Sequence, residues 1–115
     1  MSSNNATTTL AKPNNIVTLQ FTASEEIQTP VVTFKSNNVA VSDSSITYTN
    51  VTGNTWTAAY TVDTNDTDGG VTYSIAFSDI ADNVGVAVTS GHSNNITVDT
   101  TLPTLSNVDL SSNNT

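Results

Sequence analysis

The sequence has 115 residues, enough for one domain with one core. Thr, Ser and Asn make up 51 of these residues, cysteine is absent, and ten acidic residues against two lysines give a formal charge of -8. This charge excludes nucleic acid and an anionic membrane surface as partners, because both are bound by clustered Lys and Arg. No apolar run approaches the roughly 20 residues of a membrane span, which excludes membrane insertion.

Short strands are predicted along most of the chain, because apolar and polar residues alternate with a period of two. In chain order they cover residues 17–23, 31–35, 39–41, 46–48, 56–62, 71–77, 84–88 and 96–98. Thr and Val suit strands, whereas Asn and Ser suit the turns between them. The predicted fold is therefore all-β, an immunoglobulin-like antiparallel β-sandwich of about seven or eight strands. The aromatic residues expected to fill its core are Trp56, Tyr60, Tyr73, Phe21, Phe34 and Phe77.

The two ends of the chain carry the same phrase. Ser-Ser-Asn-Asn occupies residues 2–5 and recurs at residues 111–114, 109 residues later. An offset of this size matches one small β domain, so the chain is interpreted as one period of a tandem array. Met1 is then interpreted as a start introduced for expression, with any export segment elsewhere in a longer parent.

Three segments resemble one family. They are Val-Asp-Thr-Thr-Leu-Pro-Thr-Leu at 98–105, Phe-Thr-Ala-Ser-Glu at 21–25, and Asp-Ile-Ala-Asp-Asn-Val-Gly at 79–85. Together they resemble the bacterial immunoglobulin-like (Big-type) tandem repeats of large surface adhesins, although that family usually has Gly where this chain has Asp82. The resemblance covers most of residues 16–105. It implies an extracellular or cell-surface location in bacteria and a linker of the Asp-Thr-Thr-x-Pro kind between repeats.

The linker divides the chain into three parts. Residues 1–99 form the sandwich, residues 100–103 the linker, and residues 104–115 the first strand of the next repeat. The sandwich is therefore expected to lack its own first strand, which leaves a sheet edge open. Residues 104–110 are a candidate donor strand for a neighbouring molecule, and head-to-tail donation builds a fibre. The alternative is an arbitrary boundary followed by an unstructured tail.

Acidic residues cluster in loops, where carboxylate and carbonyl oxygens suit Ca²⁺. The candidate metal ligands are Asp63, Asp66, Asp68, Asp79, Asp82, Asp99 and Glu25. The spacing does not fit an EF-hand, so a site requires several loops. The resemblance implies ligation at a junction, by Asp99 with Asp79 and Asp82, and with Glu25 if the strand order places it there. The alternative is that these are solvated turn residues that keep the protein soluble.

The sequence offers no catalytic constellation. There is no cysteine, and no acidic group is matched to His92, the single histidine, which is expected to be a solvated loop residue. The chain is therefore predicted not to be an enzyme. The predicted function is a structural repeat of an adhesin stalk or fibre, joined head to tail to identical repeats or subunits and stiffened by Ca²⁺. The alternative function is a module that binds carbohydrate or a cell surface; a glycan target reached through other domains is also open.

Overall fold

A computed structural model of the chain describes residues 1–114. These residues contain nine strands, joined by turns and loops, and no helix. Thr115, the last residue of the predicted next-repeat strand, lies outside them. The strands are β1 (Ser2–Ser3), β2 (Leu10–Ala11), β3 (Ile16–Thr22), β4 (Val31–Ser36), β5 (Val39–Ala40), β6 (Thr47–Thr52), β7 (Thr55–Thr61), β8 (Gly69–Ala76) and β9 (Thr97–Val98). Across the described residues there is no helix long and apolar enough to cross a membrane.

The strands form two sheets, which confirms the predicted β-sandwich. One sheet has the order β1-β3-β7-β6 and the other β2-β9-β8-β4-β5. All strand pairs are antiparallel except β2 with β9, which run parallel. The number of strands exceeds the predicted seven or eight because β1 and β2 precede the first predicted strand. Each of these two strands has only two residues, which is too short for a period of two to be recognised in the sequence.

The core lies between the sheets and is built from the alternate residues of the long strands. Val17 and Leu19 of β3 are buried, as are the inward residues of β4, β7 and β8. The rings of Phe34 and Tyr60 lie 4.7 Å apart between their centroids and join the two sheets. Trp56 is only half-buried and lies outside the core cluster, so its predicted share of the core was too large.

The segment 84–88 is not the strand that its alternating valines predict. It makes only single bridges, Ser78 with Val84 and Ile75 with Val88, and Val86 is 87% exposed. The residue that faces inward is Gly85, because a Cβ there would collide with the ring of Phe77. The inward position has no room for a side chain, so a glycine occupies it, and Val84 and Val86 on either side point to solvent.

The sandwich has two distinct ends. At the linker end, β3 and β8 begin, β7 and β9 finish, and the loop 63–68 lies beside residues 99–101. At the far end, β3 and β8 finish, and residues 23–27 lie beside the loop 78–83.

Candidate functional site

The edge of β3 is only partly covered. β1 pairs with it at two positions, Ser2 opposite Thr18 and Ser3 opposite Val17. In the described chain no other strand pairs with β3 on this side, since β1 is the outermost strand of its sheet. Residues 19–22 of β3, towards the far end, therefore form an open strand edge. An open edge presents unpaired main-chain groups to any added strand.

Main-chain hydrogen bonds show which residues of β3 point to this edge. The amide of Ile16 donates to Asn4 Oδ1 at 2.7 Å, and its carbonyl accepts from the Asn4 amide at 3.1 Å. Main-chain groups alternate between the two sides of a strand, so Thr18, Gln20 and Thr22 present theirs to the same side as Ile16. The amide and carbonyl of Gln20 thus face the open edge.

A groove of about 550 Å³ follows this edge. Its lining residues are Met1, Ser2, Thr18, Gln20, Phe21 and Thr22 on one wall and residues 91–94 on the other. His92 fixes the second wall, because one ring nitrogen bonds the Tyr73 hydroxyl at 3.0 Å and the other the Asn95 side-chain oxygen at 2.7 Å. The predicted solvated histidine is thus half-buried, with a structural role that the sequence did not reveal.

The tail, residues 102–114, lies outside the sandwich. Every one of its residues is exposed and none belongs to a strand. Its large apolar side chains are almost entirely uncovered: Leu105 is 89% exposed, Val108 80% and Leu110 97%. The molecule is 84 Å long but only 25 by 22 Å across, and this extended segment accounts for the excess length. An uncovered apolar segment of this kind is typical of a surface that another chain covers.

The root of the tail is fixed by one carboxylate. Asp68 accepts hydrogen bonds from the amide and hydroxyl of Thr100 and from the hydroxyl of Thr101. These three hydrogen bonds hold the pKa of Asp68 below its ordinary value, because they stabilise the charged form. The Thr100 hydroxyl contributes most, followed by the Thr101 hydroxyl and the Thr100 amide. Next to it, the amide of Asp99 donates to the Ala11 carbonyl at 2.9 Å and continues the β2 to β9 pairing.

The other acidic residues of the linker end serve local structure. Asp66 is 5% exposed, and its two carboxylate oxygens accept from the amides of Ser42 and Asp63 at 2.7 and 3.0 Å. Asp63 accepts from the Asn65 amide at 2.8 Å. These bonds are those of turn residues, which is one of the two alternatives that the sequence left open.

At the far end the structure brings Glu25 and Asp79 to the same surface hollow. Asp79 accepts from the side-chain and main-chain nitrogens of Asn83, and these bonds lower its pKa below the ordinary value, the side chain contributing most. Asp82 accepts from the side-chain amide of Gln28. Its φ of +69° is a left-handed conformation, which Asp adopts more readily than most residues other than Gly and Asn.

The seven predicted metal ligands therefore fall into two sets at opposite ends of one molecule. Asp63, Asp66, Asp68 and Asp99 lie at the linker end, and Glu25, Asp79 and Asp82 at the far end. Within residues 1–114, no three His, Cys, Asp or Glu side chains are grouped so as to hold a metal ion. A site that uses Asp99 together with Asp79 and Asp82 requires two molecules.

Sequence reasoning missed the two features that define the site, namely the Asp68 contact with residues 100 and 101 and the second wall of the groove. Both join residues that are distant in sequence, and only the repeated Ser-Ser-Asn-Asn phrase relates the tail to the groove. Comparison with known proteins finds no matching family model, no similar curated protein and no similar solved structure.

Proposed function

We propose that the chain is a structural immunoglobulin-like repeat, which joins end to end with copies of itself in an extracellular bacterial stalk or fibre. One observation carries the proposal. The open edge of β3 lies towards the far end, whereas the uncovered tail leaves from the linker end. The repeated phrase supports the same arrangement, since residues 111–114 match the residues that form and follow β1.

Joining of this kind is directional. A tail at one end and an acceptor edge towards the other make a heterologous contact, in which each unit uses two different surfaces. Such contacts repeat without closing when the units are displaced along one axis, and the result is a filament. The 25 by 22 Å cross-section and the 84 Å length fit units arranged along that axis.

The acidic residues agree with this arrangement. End-to-end joining places the linker end of one unit against the far end of the next, so Asp99 of one unit approaches Asp79 and Asp82 of its neighbour. We expect the predicted Ca²⁺ site at this junction, because it adds Asp99 to Asp79 and Asp82, whereas within residues 1–114 of a single molecule no three such side chains are grouped. The charge of -8 also keeps a long assembly soluble.

The proposal is tested with a chain of two units, in which Leu110 of the first is followed directly by Ser2 of the second. We expect small-angle X-ray scattering to show a rod of fixed length, because strand sharing and the Asp68 contact leave the junction little freedom. We expect the second unit to melt at a higher temperature than a single unit, since its β3 edge is now covered.

The matched control is the same two-unit chain with a flexible Gly-Ser segment of eight residues inserted after Pro103. This insertion keeps both units and the tail but removes the fixed geometry of the linker. Scattering from the control should show a broad range of lengths. If the uninterrupted chain shows the same broad range, and its units melt as a single unit does, the chain is not an end-to-end structural repeat.

A further inference from the structure

The groove beside β3 fits one particular occupant. We propose that residues 108–112 of a second copy add to β3 as an antiparallel strand, in a single register that places Val108 opposite Phe21 and Leu110 opposite Leu19. This inference rests on the proposed end-to-end function and specifies the joint. Its test uses two separate chains, so that the joint is observed without a covalent link between the units.

The register follows from the repeated phrase. Ser2 lies opposite Thr18 and Ser3 opposite Val17. Because residues 111 and 112 repeat residues 2 and 3, the same pairing places Ser111 opposite Thr18 and Ser112 opposite Val17. Counting back along an antiparallel pair then sets residue 110 against 19, 109 against 20, and 108 against 21.

Side-chain chemistry agrees with this register. Residue 110 takes the position of Met1, which is 9% exposed and part of the core cluster. The side chain of Leu110 is 97% exposed in the single molecule, and in this register it becomes buried beside Leu19. Val108 has the same orientation two residues earlier and lies beside Phe21, which is only half-buried without it. Shifting the register by one residue would turn both apolar side chains to solvent.

Main-chain bonding agrees as well. The amide and carbonyl of Gln20 face the open edge, and in this register they pair with those of Asp109. The side chain of Asp109 then points to solvent on the outer face of the sheet. Asn107 has a φ of +55°, so a regular strand begins after it, at Val108.

The second copy competes with β1 of the acceptor, because both need the positions opposite Val17 and Thr18. The added strand has five residues where β1 has two, and it buries one more apolar side chain, that of Val108. These differences favour the added strand once the two chains are concentrated enough to offset the entropy of association. Residues 1–3 of the acceptor leave the edge when it binds.

The register is tested by disulfide trapping, which is direct because the natural chain has no cysteine. One chain carries Asp109→Cys and an ¹⁵N label, and the other carries Gln20→Cys. We expect a mixed dimer, identified by its mass, because directly opposite residues have Cα atoms about 5.5 Å apart, within disulfide range. Thr18→Cys and Thr22→Cys are the matched controls, as both lie on the same face of β3 as Gln20, two residues before and after it.

Trapping with Gln20→Cys should be at least fivefold faster than with either control. Adding Val108→Asp to the labelled chain should slow it at least tenfold, whereas Leu105→Asp, outside the strand, should leave it unchanged. Faster trapping at Thr18 or Thr22 would overturn the register. If no pair is trapped while the two-unit chain behaves as a rod, the inference falls and the proposed function stands. If the two-unit chain also fails, both fall.

Discussion

The carboxylate of Asp68 accepts two hydrogen bonds from Thr100, one from its amide at 2.8 Å and one from its hydroxyl at 2.6 Å. The second carboxylate oxygen accepts from the Thr101 hydroxyl, also at 2.6 Å. Hydrogen bonds to an ionised acceptor are shorter and stronger than those between neutral groups. A single side chain at the start of β8 therefore sets the direction in which the tail leaves the sandwich.

Replacing Asp68 by Ala should free the root of the tail without unfolding the sandwich. The three bonds to residues 100 and 101 are lost, while all nine strands lie before these residues. We expect the Thr100 amide to lose its hydrogen-exchange protection in nuclear magnetic resonance spectra, with the β8 amides unchanged. Asp109→Ala is the matched control, because Asp109 lies in the exposed tail. Retained protection at Thr100 would show that this carboxylate does not fix the linker.

Stability should fall as the pH drops below about 4, because Asp68 and Asp79 have pKa values lowered by folding. An unfolded Asp titrates at about 3.9, so the unfolded chain binds protons first as acid is added. The stabilisation from both groups is complete above that pH and is lost as the pH falls through their folded pKa values. Urea midpoints measured from pH 7 to pH 2 check this. A variant with both residues changed to Asn should show a shallower loss, and an unchanged profile would contradict the assignment.

Much of the sandwich could be predicted from alternation, because a strand with one buried face shows it directly. β3, β4, β7 and β8 were each predicted within a few residues. Alternation was misleading at 84–88, where exposed valines flank an inward Gly85. The pattern reports which residues alternate, but the direction of the buried face depends on the neighbouring ring of Phe77.

The site was only partly predictable. The linker and the repeated phrase predict a donor strand at residues 104–110. The structure shows this segment exposed and outside every strand, and it shows a groove beside β3. The predicted absence of a first strand needs refinement, because β1 covers two positions of the β3 edge and leaves the rest open. The contact of Asp68 with residues 100 and 101 spans more than 30 residues. Pairing between such distant residues is set by the sheet order, which no local pattern contains.

Gly85→Ala should destabilise the sandwich, because the added Cβ would overlap the ring of Phe77. Overpacking of this kind costs about 1–3 kcal/mol of the free energy of unfolding. Gly70→Ala is the matched control, since its Cβ would meet no atom within 4 Å and its φ is not positive. Urea unfolding of the two variants measures the difference. Equal stabilities would show that the loop 84–88 is free to move away from the core.

Loss of the hydroxyl group should affect the free energy of unfolding differently at Tyr60 and at Tyr48. Among the described residues the buried hydroxyl of Tyr60 has no hydrogen-bond partner, and burial raises its pKa far above the ordinary value. The hydroxyl of Tyr48 accepts from the Val32 amide at 2.7 Å. Tyr60→Phe should therefore leave the free energy of unfolding unchanged or raise it by about 1 kcal/mol, because an unsatisfied polar group is removed. Tyr48→Phe should lower it by about 1–2 kcal/mol, because the Val32 amide loses its acceptor. Chemical denaturation of both variants gives the comparison, and a larger loss at Tyr60 than at Tyr48 would contradict it.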